Sequence, residues 1–369
     1  MPIRSIKLVE VDSVRVSGGR AGITFTVASE EEAFRRWRPA LVRGDGARPF
    51  LESFFQHHSP MPWAGLMTIR DATIINDGLV LQGDGLLIGN SLMYPPVVFP
   101  YSHSSLRFEQ GAGGEWRVDL PAEHVAIPGR TASLVCDGWQ IYGHWLVDVL
   151  PRLHRIMTSG IAFDTYLFPG PVRDWQSRML QAVGLDLSRC RFIDLSTTVV
   201  DCEELVVAAY DRFNSEVRPD LVAVHRELRK TFCGDDIPAG TRHLFVSRGG
   251  WGGSRALVNR AEIEAAFAGM GYEIVHPEIL SFPDQIRLFA SAAVVAGECG
   301  SGLHNALFCG DNTRIGVMQS RDNYNFLQAQ IGMILNHELY YAIGDPAADG
   351  DSFSVDVQDA KYIAKTMKG

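Results

Sequence analysis

The feature that most constrains this chain is an alternation of short apolar runs and amphipathic stretches between His243 and Met318. The runs at His243–Ser247, Tyr272–Val275, Ala293–Ala296 and Arg314–Met318 read as strands. Between them fall a helix after Asn259, with Ile263, Ala266, Phe267 and Met270 as its apolar stripe, and a second capped by Ser281, with Ile286, Phe289 and Ala290 on one face. Asn259 followed by Glu262 is a capping-box pattern, and His304–Phe308 reads as a short third helix. A βαβαβαβ order predicts a parallel sheet with helices on both faces. Ligands of such sheets bind at the carboxyl ends of the strands, so the loops after Ser247 and Ala296 are the places to look.

The preceding region has a similar but weaker texture. Ser133–Cys136, Thr165–Phe168, Arg191–Ile193 and Leu205–Ala208 read as strands. A helical stretch begins near Gly143, and Trp175, Met179 and Val183 repeat at helical spacing until Gly184. Arg212 to Ala239 reads as a helix and connection at a domain boundary. Before about residue 130 the texture is mostly β, with strands at Ile23–Val27, Leu79–Leu81 and Leu86–Ile88, the last two joined by a Gly83-Asp84-Gly85 turn, and one short helix over Glu30–Arg38. The expected divisions are 1–130, a mostly β accessory segment; 131–239 and 240–345, two Rossmann-like domains; and 346–369, a tail or helix.

The 369 residues carry 34 Lys plus Arg against 43 Asp plus Glu, a net charge of -9, which argues against sequence-independent nucleic-acid binding. The N-terminus has no apolar h-region and no apolar stretch is long enough to span a bilayer, so the expectation is a cytoplasmic protein, at most peripheral at the inner face of the membrane. Six scattered cysteines without a C-x-x-C pair read as reduced thiols rather than a zinc site.

Three segments could carry chemistry. Ser247-Arg248-Gly249-Gly250-Trp251-Gly252-Gly253-Ser254-Arg255 combines close backbone approach with two guanidinium forks suited to phosphate oxygens, although it is neither a P-loop nor G-x-G-x-x-G. Alone it reads as a solvated loop; at the mouth of a parallel sheet it reads as a phosphate site. Gly297-Glu298-Cys299-Gly300-Ser301-Gly302-Leu303-His304-Asn305 is a tight strand-to-helix turn whose amides can hold an anion. Cys299 occupies the first glycine position of G-x-S-x-G, so Ser301 is no nucleophile elbow, and a cysteine hydrolase built on Cys299 lacks a local signature. In Tyr142–Arg152, a helix would put Leu146, Val149, Leu150 and Leu153 on one face and His144 with Asp148 on the other. On spacing alone the solvated face of an amphipathic helix is favoured for that pair, and Pro151 marks a kink or an end.

In this order the three segments resemble glycosyltransferase family 61, the family of capsular-polysaccharide transferases, plant xylosyltransferases and some protein O-linked sugar transferases. Tyr142-Gly143-His144-Trp145-Leu146-Val147-Asp148-Val149-Leu150-Pro151-Arg152-Leu153 is similar to the family's N-Y-G-H-W-L-x-D-x-L-P-R-L, with Ile141 where Asn is usual. Val246-Ser247-Arg248, Arg255 and Asn259 match its S-R-x(n)-R-x(3)-N segment, and Pro277-Glu278 with Ser281-Phe282-x-x-Gln285 the run that follows. A weaker likeness starts at Leu66–Met93, and the whole covers roughly 65 to 345. In the loop at 297, Cys299, Ser301 and His304 stand where the family carries His, Ala and Thr.

The resemblance implies an α/β, GT-B-like fold: two facing Rossmann-like domains with parallel sheets, preceded here by the mostly β segment. It implies inverting transfer from a nucleotide-sugar donor, UDP-linked, to a glycan or lipid-linked glycan, as in polysaccharide biosynthesis. It places Ser247, Arg248, Arg255, Asn259, Glu278, Gly300, Ser301, Gly302, Leu303, His304 and Asn305 at the donor, and His144 or Asp148 as the base. No metal or other cofactor is expected, because cationic side chains are available and no D-x-D stands in the motifs; a homodimer is compatible with this reading. The alternative from another class is a non-catalytic nucleotide-sugar or glycan-binding protein with a degenerate loop.

Overall fold

A computed structural model describes residues 3–32, 38–56, 60–76, 78–92, 108–110, 116–237, 239–249 and 255–369. Most of the expected Glu30–Arg38 helix, Gly250–Ser254 of the glycine-rich loop, and two positions of the Leu66–Met93 stretch lie outside the described residues. The chain forms two compact units, 1–32 with 60–213, and 33–59 with 214–369.

The first unit is built on one sheet of eleven strands among the described residues. Four are parallel neighbours, in the order Cys190–Ile193, Thr165–Pro169, Glu123–Ser133 and Thr198–Ala208. Ala64–Ile75 then runs antiparallel to Thr198–Ala208 and starts a meander through Leu79–Gln82 and Gly85–Ile88. Strands from before and after residue 130 thus share one sheet, which is mixed rather than purely parallel. The expected strand Ser133–Cys136 is displaced: the strand ends at Ser133, Leu134 N–H still donates to Leu167 O at 2.9 Å, and the buried Val135 and Cys136 leave the ladder. The buried Arg152 guanidinium takes up carbonyls at this strand end, donating to Val135 O at 3.1 Å, to Ser133 O at 3.1 Å and to Ala208 O of the neighbouring strand at 3.0 Å. Arg152 also lies 4.4 Å from the ring centroid of Tyr210.

The second unit holds a sheet of seven strands among the described residues, and its central strands follow the sequence expectation. Glu273–Val275, Arg242–Val246, Ala292–Glu298, Arg314–Ser320 and Glu338–Pro346 are parallel neighbours in that order. Leu41–Arg43, from far upstream, pairs parallel with Glu338–Pro346. The helix Ala47–Gln56 turns Phe50 and Phe54 onto Phe326, and Phe50 also onto Tyr341. Helices Arg260–Ala268 and Val357–Met367 share a core with the sheet through Phe245, Phe267, Ile363 and Met367. Burying an aliphatic or aromatic side chain of this size contributes about 1.5–3 kcal/mol. No described helix is long and apolar enough to cross a membrane.

The capping-box expectation is corrected. Asn259 precedes the helix, but its side chain makes no cap hydrogen bond. Its Nδ2 donates to Val355 O at 2.8 Å and its Oδ1 accepts from Val355 N at 3.2 Å, so the amide fastens a distant strand end instead. Ser281 does cap its helix, accepting from Asp284 N at 3.3 Å.

His337 gives this unit an acid-sensitive point. It is 3% exposed, its Nε2 lies 3.2 Å from Gly310 O, and burial pulls its pKa from 6.5 down to about 4. The folded form therefore holds it neutral while the unfolded chain binds a proton. The stabilisation is complete above pH 6.5 and is lost as the pH falls towards 4, by about 3 kcal/mol. His337→Gln is expected to flatten the fall of the urea midpoint over that range. A variant whose midpoint falls as steeply as the wild type would contradict this.

Candidate functional site

Two clusters stand at the carboxyl ends of parallel strands, one in each unit. In the first unit the segment after Glu123–Ser133 is helical from Tyr142 to Met157, but its middle, Trp145–Val149, is a π-turn. Leu150 N–H reaches back five residues to Trp145 O. This widening falls just before Pro151, which lacks a donor, so the expected kink or helix end is replaced by a change of hydrogen-bond register. Trp145 anchors the segment: it is 2% exposed, stacks on Phe168 at 6.1 Å and donates from Nε1 to Trp139 O at 2.6 Å.

The His144–Asp148 pair is not a solvated face. Asp148 is 2% exposed, and the favoured reading from spacing fails because a residue 64 positions away covers it. Arg212, which follows the adjacent parallel strand Thr198–Ala208, donates from Nε to Asp148 Oδ1 and from Nη2 to Oδ2, both at 2.9 Å. His144 Nδ1 lies 2.7 Å from Asp148 Oδ2. Burial opposes ionisation of Asp148, but the Arg212 charge and the hydrogen bonds from His144 and Arg212 outweigh it and hold the carboxyl well below the usual carboxylate range. An ionised Asp148 accepts Nδ1–H, which leaves the lone pair of neutral His144 on Nε2. The His144 side chain is 33% exposed, and Gly138 lies against its ring: a Cβ on Gly138, at φ 70°, would meet the imidazole at 2.8 Å.

In the second unit two loops converge. Arg248 follows Arg242–Val246 and donates from Nη1 to Cys299 O at 3.2 Å, in the loop after Ala292–Glu298. Gly300, at φ 152°, closes this contact, since a Cβ there would sit 3.2 Å from Arg248 Nη1. Burial lowers the Arg248 pKa, a sign that this guanidinium is partly stripped of water. Ser247 is buried, donates to Glu264 Oε1 at 2.5 Å and accepts from Gly249 N at 3.0 Å. Arg255, at the far stem of the glycine-rich loop, has a positive φ of 61° and acts with Arg248 on the electrostatics of Cys299.

Glu298 is the residue whose role sequence reasoning missed, although it lies inside the second motif. It is 1% exposed and accepts from Arg260 Nε at 2.7 Å and Nη2 at 3.0 Å. It also accepts from the backbone N–H groups of Arg248 at 3.2 Å and Leu257 at 3.3 Å. One buried carboxylate thereby pins both stems of the glycine-rich loop.

The remaining sequence candidates divide. Ser301, Gly302 and His304 are partly buried in the 3-10 stretch Ser301–Phe308 beside Arg248. Leu303 and Asn305 face the core, and Asn305 Nδ2 donates to Gln285 Oε1 and Gly302 O, both at 3.1 Å. Asn259 is occupied by Val355, and Glu278 is half-exposed, 3.8 Å from His276. Burial pushes the Cys299 thiol up, the wrong direction for a thiolate nucleophile, which removes support from the cysteine-hydrolase reading.

The described residues of this mixed α/β chain thus place a His–Asp–Arg cluster at one carboxyl edge and the Arg248 and Arg255 guanidiniums at another. Residues 142–316, a little under half of the chain, match the family described as Glycosyltransferase 61. The matched span includes His144, Asp148, Arg212, Arg248, Arg255, Glu298 and the loop at Cys299. No curated protein matches the chain.

Proposed function

We propose that the chain transfers a sugar, with inversion, from a UDP-linked donor to a hydroxyl of a glycan or lipid-linked glycan acceptor, in polysaccharide biosynthesis and without a metal. The observation that carries this reading is the His144–Asp148–Arg212 alignment, combined with the match of residues 142–316 to a glycosyltransferase family. The acceptor oxygen attacks the anomeric carbon, the bond from that carbon to the phosphate oxygen breaks, and UDP departs with the electron pair. His144 Nε2 takes the acceptor proton as general base. Asp148, already fully committed to Arg212 and His144, is a positioning residue that fixes the tautomer. This chooses between the two bases that the sequence left open.

The developing charge on the diphosphate needs cationic partners. Arg248 and Arg255 supply them, with the amides of Gly300 to Gly302 alongside, while Glu298 holds the loop stems. Calorimetric titration with UDP tests this half. Arg248→Ala is expected to weaken UDP binding by about ten- to a hundredfold, the cost of a lost charge-assisted hydrogen bond. Unchanged affinity in a folded variant would return Arg248 to a structural role. UDP binding without transfer to any acceptor glycan would instead favour the non-catalytic binding protein.

A further inference from the structure

The carboxyl end of Arg314–Ser320 buries a polar group that neither the fold nor the phosphate site uses. Gln319 is 2% exposed, and its Oε1 accepts from the backbone N–H of Asn325 at 3.4 Å. That contact sets the amide's orientation, because the flipped form would turn one donor against another. Gln319 Nε2 is then a buried donor with no acceptor among the described residues. Buried amide donors are seldom left unsatisfied, and one of them at a strand's carboxyl end points to something that arrives from outside.

The neighbours identify what it meets. Asn325 Nδ2 lies 3.5 Å from Cys299 Sγ, while Asn325 Oδ1 accepts from Leu327 N at 3.2 Å. The Cys299 carbonyl in turn accepts from Arg248. Gln319 is thus joined through Asn325 and Cys299 to the guanidinium assigned to the diphosphate. The side chains that these hydrogen bonds join to Gln319 are a neutral amide and a thiol, groups that suit hydroxyl oxygens better than a second phosphate. Gln328 and Gln330 also bury amides without partners, but no hydrogen bond among the described residues joins them to Asn325 or Cys299, and they lie outside this cluster.

We propose that Gln319, with Asn325 and Cys299 beside it, forms the subsite for the sugar of the nucleotide-sugar donor, Gln319 Nε2 donating to one of its hydroxyl oxygens. This rests on the reading of Arg248 as a diphosphate ligand. The test is calorimetric titration of the full-length chain and of Gln319→Met, which keeps the side-chain length and removes the amide. The probes are UDP, UDP-glucose, UDP-N-acetylglucosamine and UDP-xylose. The expected result is unchanged UDP affinity, a loss of about three- to tenfold for whichever UDP-sugar the wild type binds best, and a Tm no lower than wild type. Gln319→Leu repeats the measurement should the first variant fail to fold. A folded variant with undiminished UDP-sugar affinity overturns the subsite, as does an equal loss for UDP and UDP-sugar. Wild-type protein that binds UDP and every UDP-sugar alike overturns it while leaving the phosphate reading intact. Wild-type protein that binds no UDP overturns both.

Discussion

His144→Gln is expected to lower turnover by about 10²–10⁴-fold while UDP affinity stays near the wild-type value, the usual worth of a general base. Glutamine keeps polarity and approximate size but has no basic nitrogen for the acceptor proton. The structure makes the test clean, because the His144 side chain is 33% exposed and only its Nδ1 is bound, to a carboxylate already held by Arg212. Removing the imidazole therefore leaves Asp148 paired, and folding should survive. Steady-state kinetics with saturating donor, alongside UDP titration, separates the two effects. Turnover within threefold of wild type would sink the assignment and shift attention to His304.

The second large effect falls on stability. Asp148→Asn is expected to cost about 3–5 kcal/mol, because it leaves the Arg212 guanidinium buried without its counter-charge. The Asp148 side chain is 1% exposed and Arg212 14%, so water cannot take over the lost interaction. Urea unfolding of the variant measures this directly, and a loss under about 1 kcal/mol would mean that the pair is far better solvated than its geometry indicates. A solvated helix face would have made the substitution nearly neutral, so this measurement also decides between the two views of the segment. Any activity loss in this variant has to be read at a temperature where it remains folded.

The sheet of the second unit was legible because its strands are buried apolar runs separated by amphipathic helices, a pattern that local sequence carries by itself. The loops at its carboxyl edge were legible for the same reason, since strand ends and glycines locate them. Partners distant in sequence were not. Nothing near Asp148 announces Arg212, and nothing near Asn259 announces that Val355 will occupy its amide. Gln319 and Asn325 follow a strand that was anticipated, yet an amide with an unmet donor has no sequence signature. The mixed sheet of the first unit was missed because short alternating strands do not reveal which neighbour they will pair with, only that one face is apolar.

The placement of Leu41–Arg43 also bears on how the molecule is made. This three-residue strand belongs to a sheet whose other strands begin at Arg242, the helix Ala47–Gln56 packs beside it, and the strand's partner Glu338–Pro346 is synthesised long after both. Their docking closes a loop of nearly 300 residues, a slow and late event compared with pairing between neighbours in sequence. Until it happens, one side of Glu338–Pro346 and the aromatic surface of Phe326 and Tyr341 stand open, the kind of edge on which nascent chains associate wrongly. A fragment beginning at residue 214 would keep the Arg248 and Cys299 loops yet lack that cover. Expressed alone it should yield aggregates, and adding a peptide of residues 38–56 in trans should recover soluble protein.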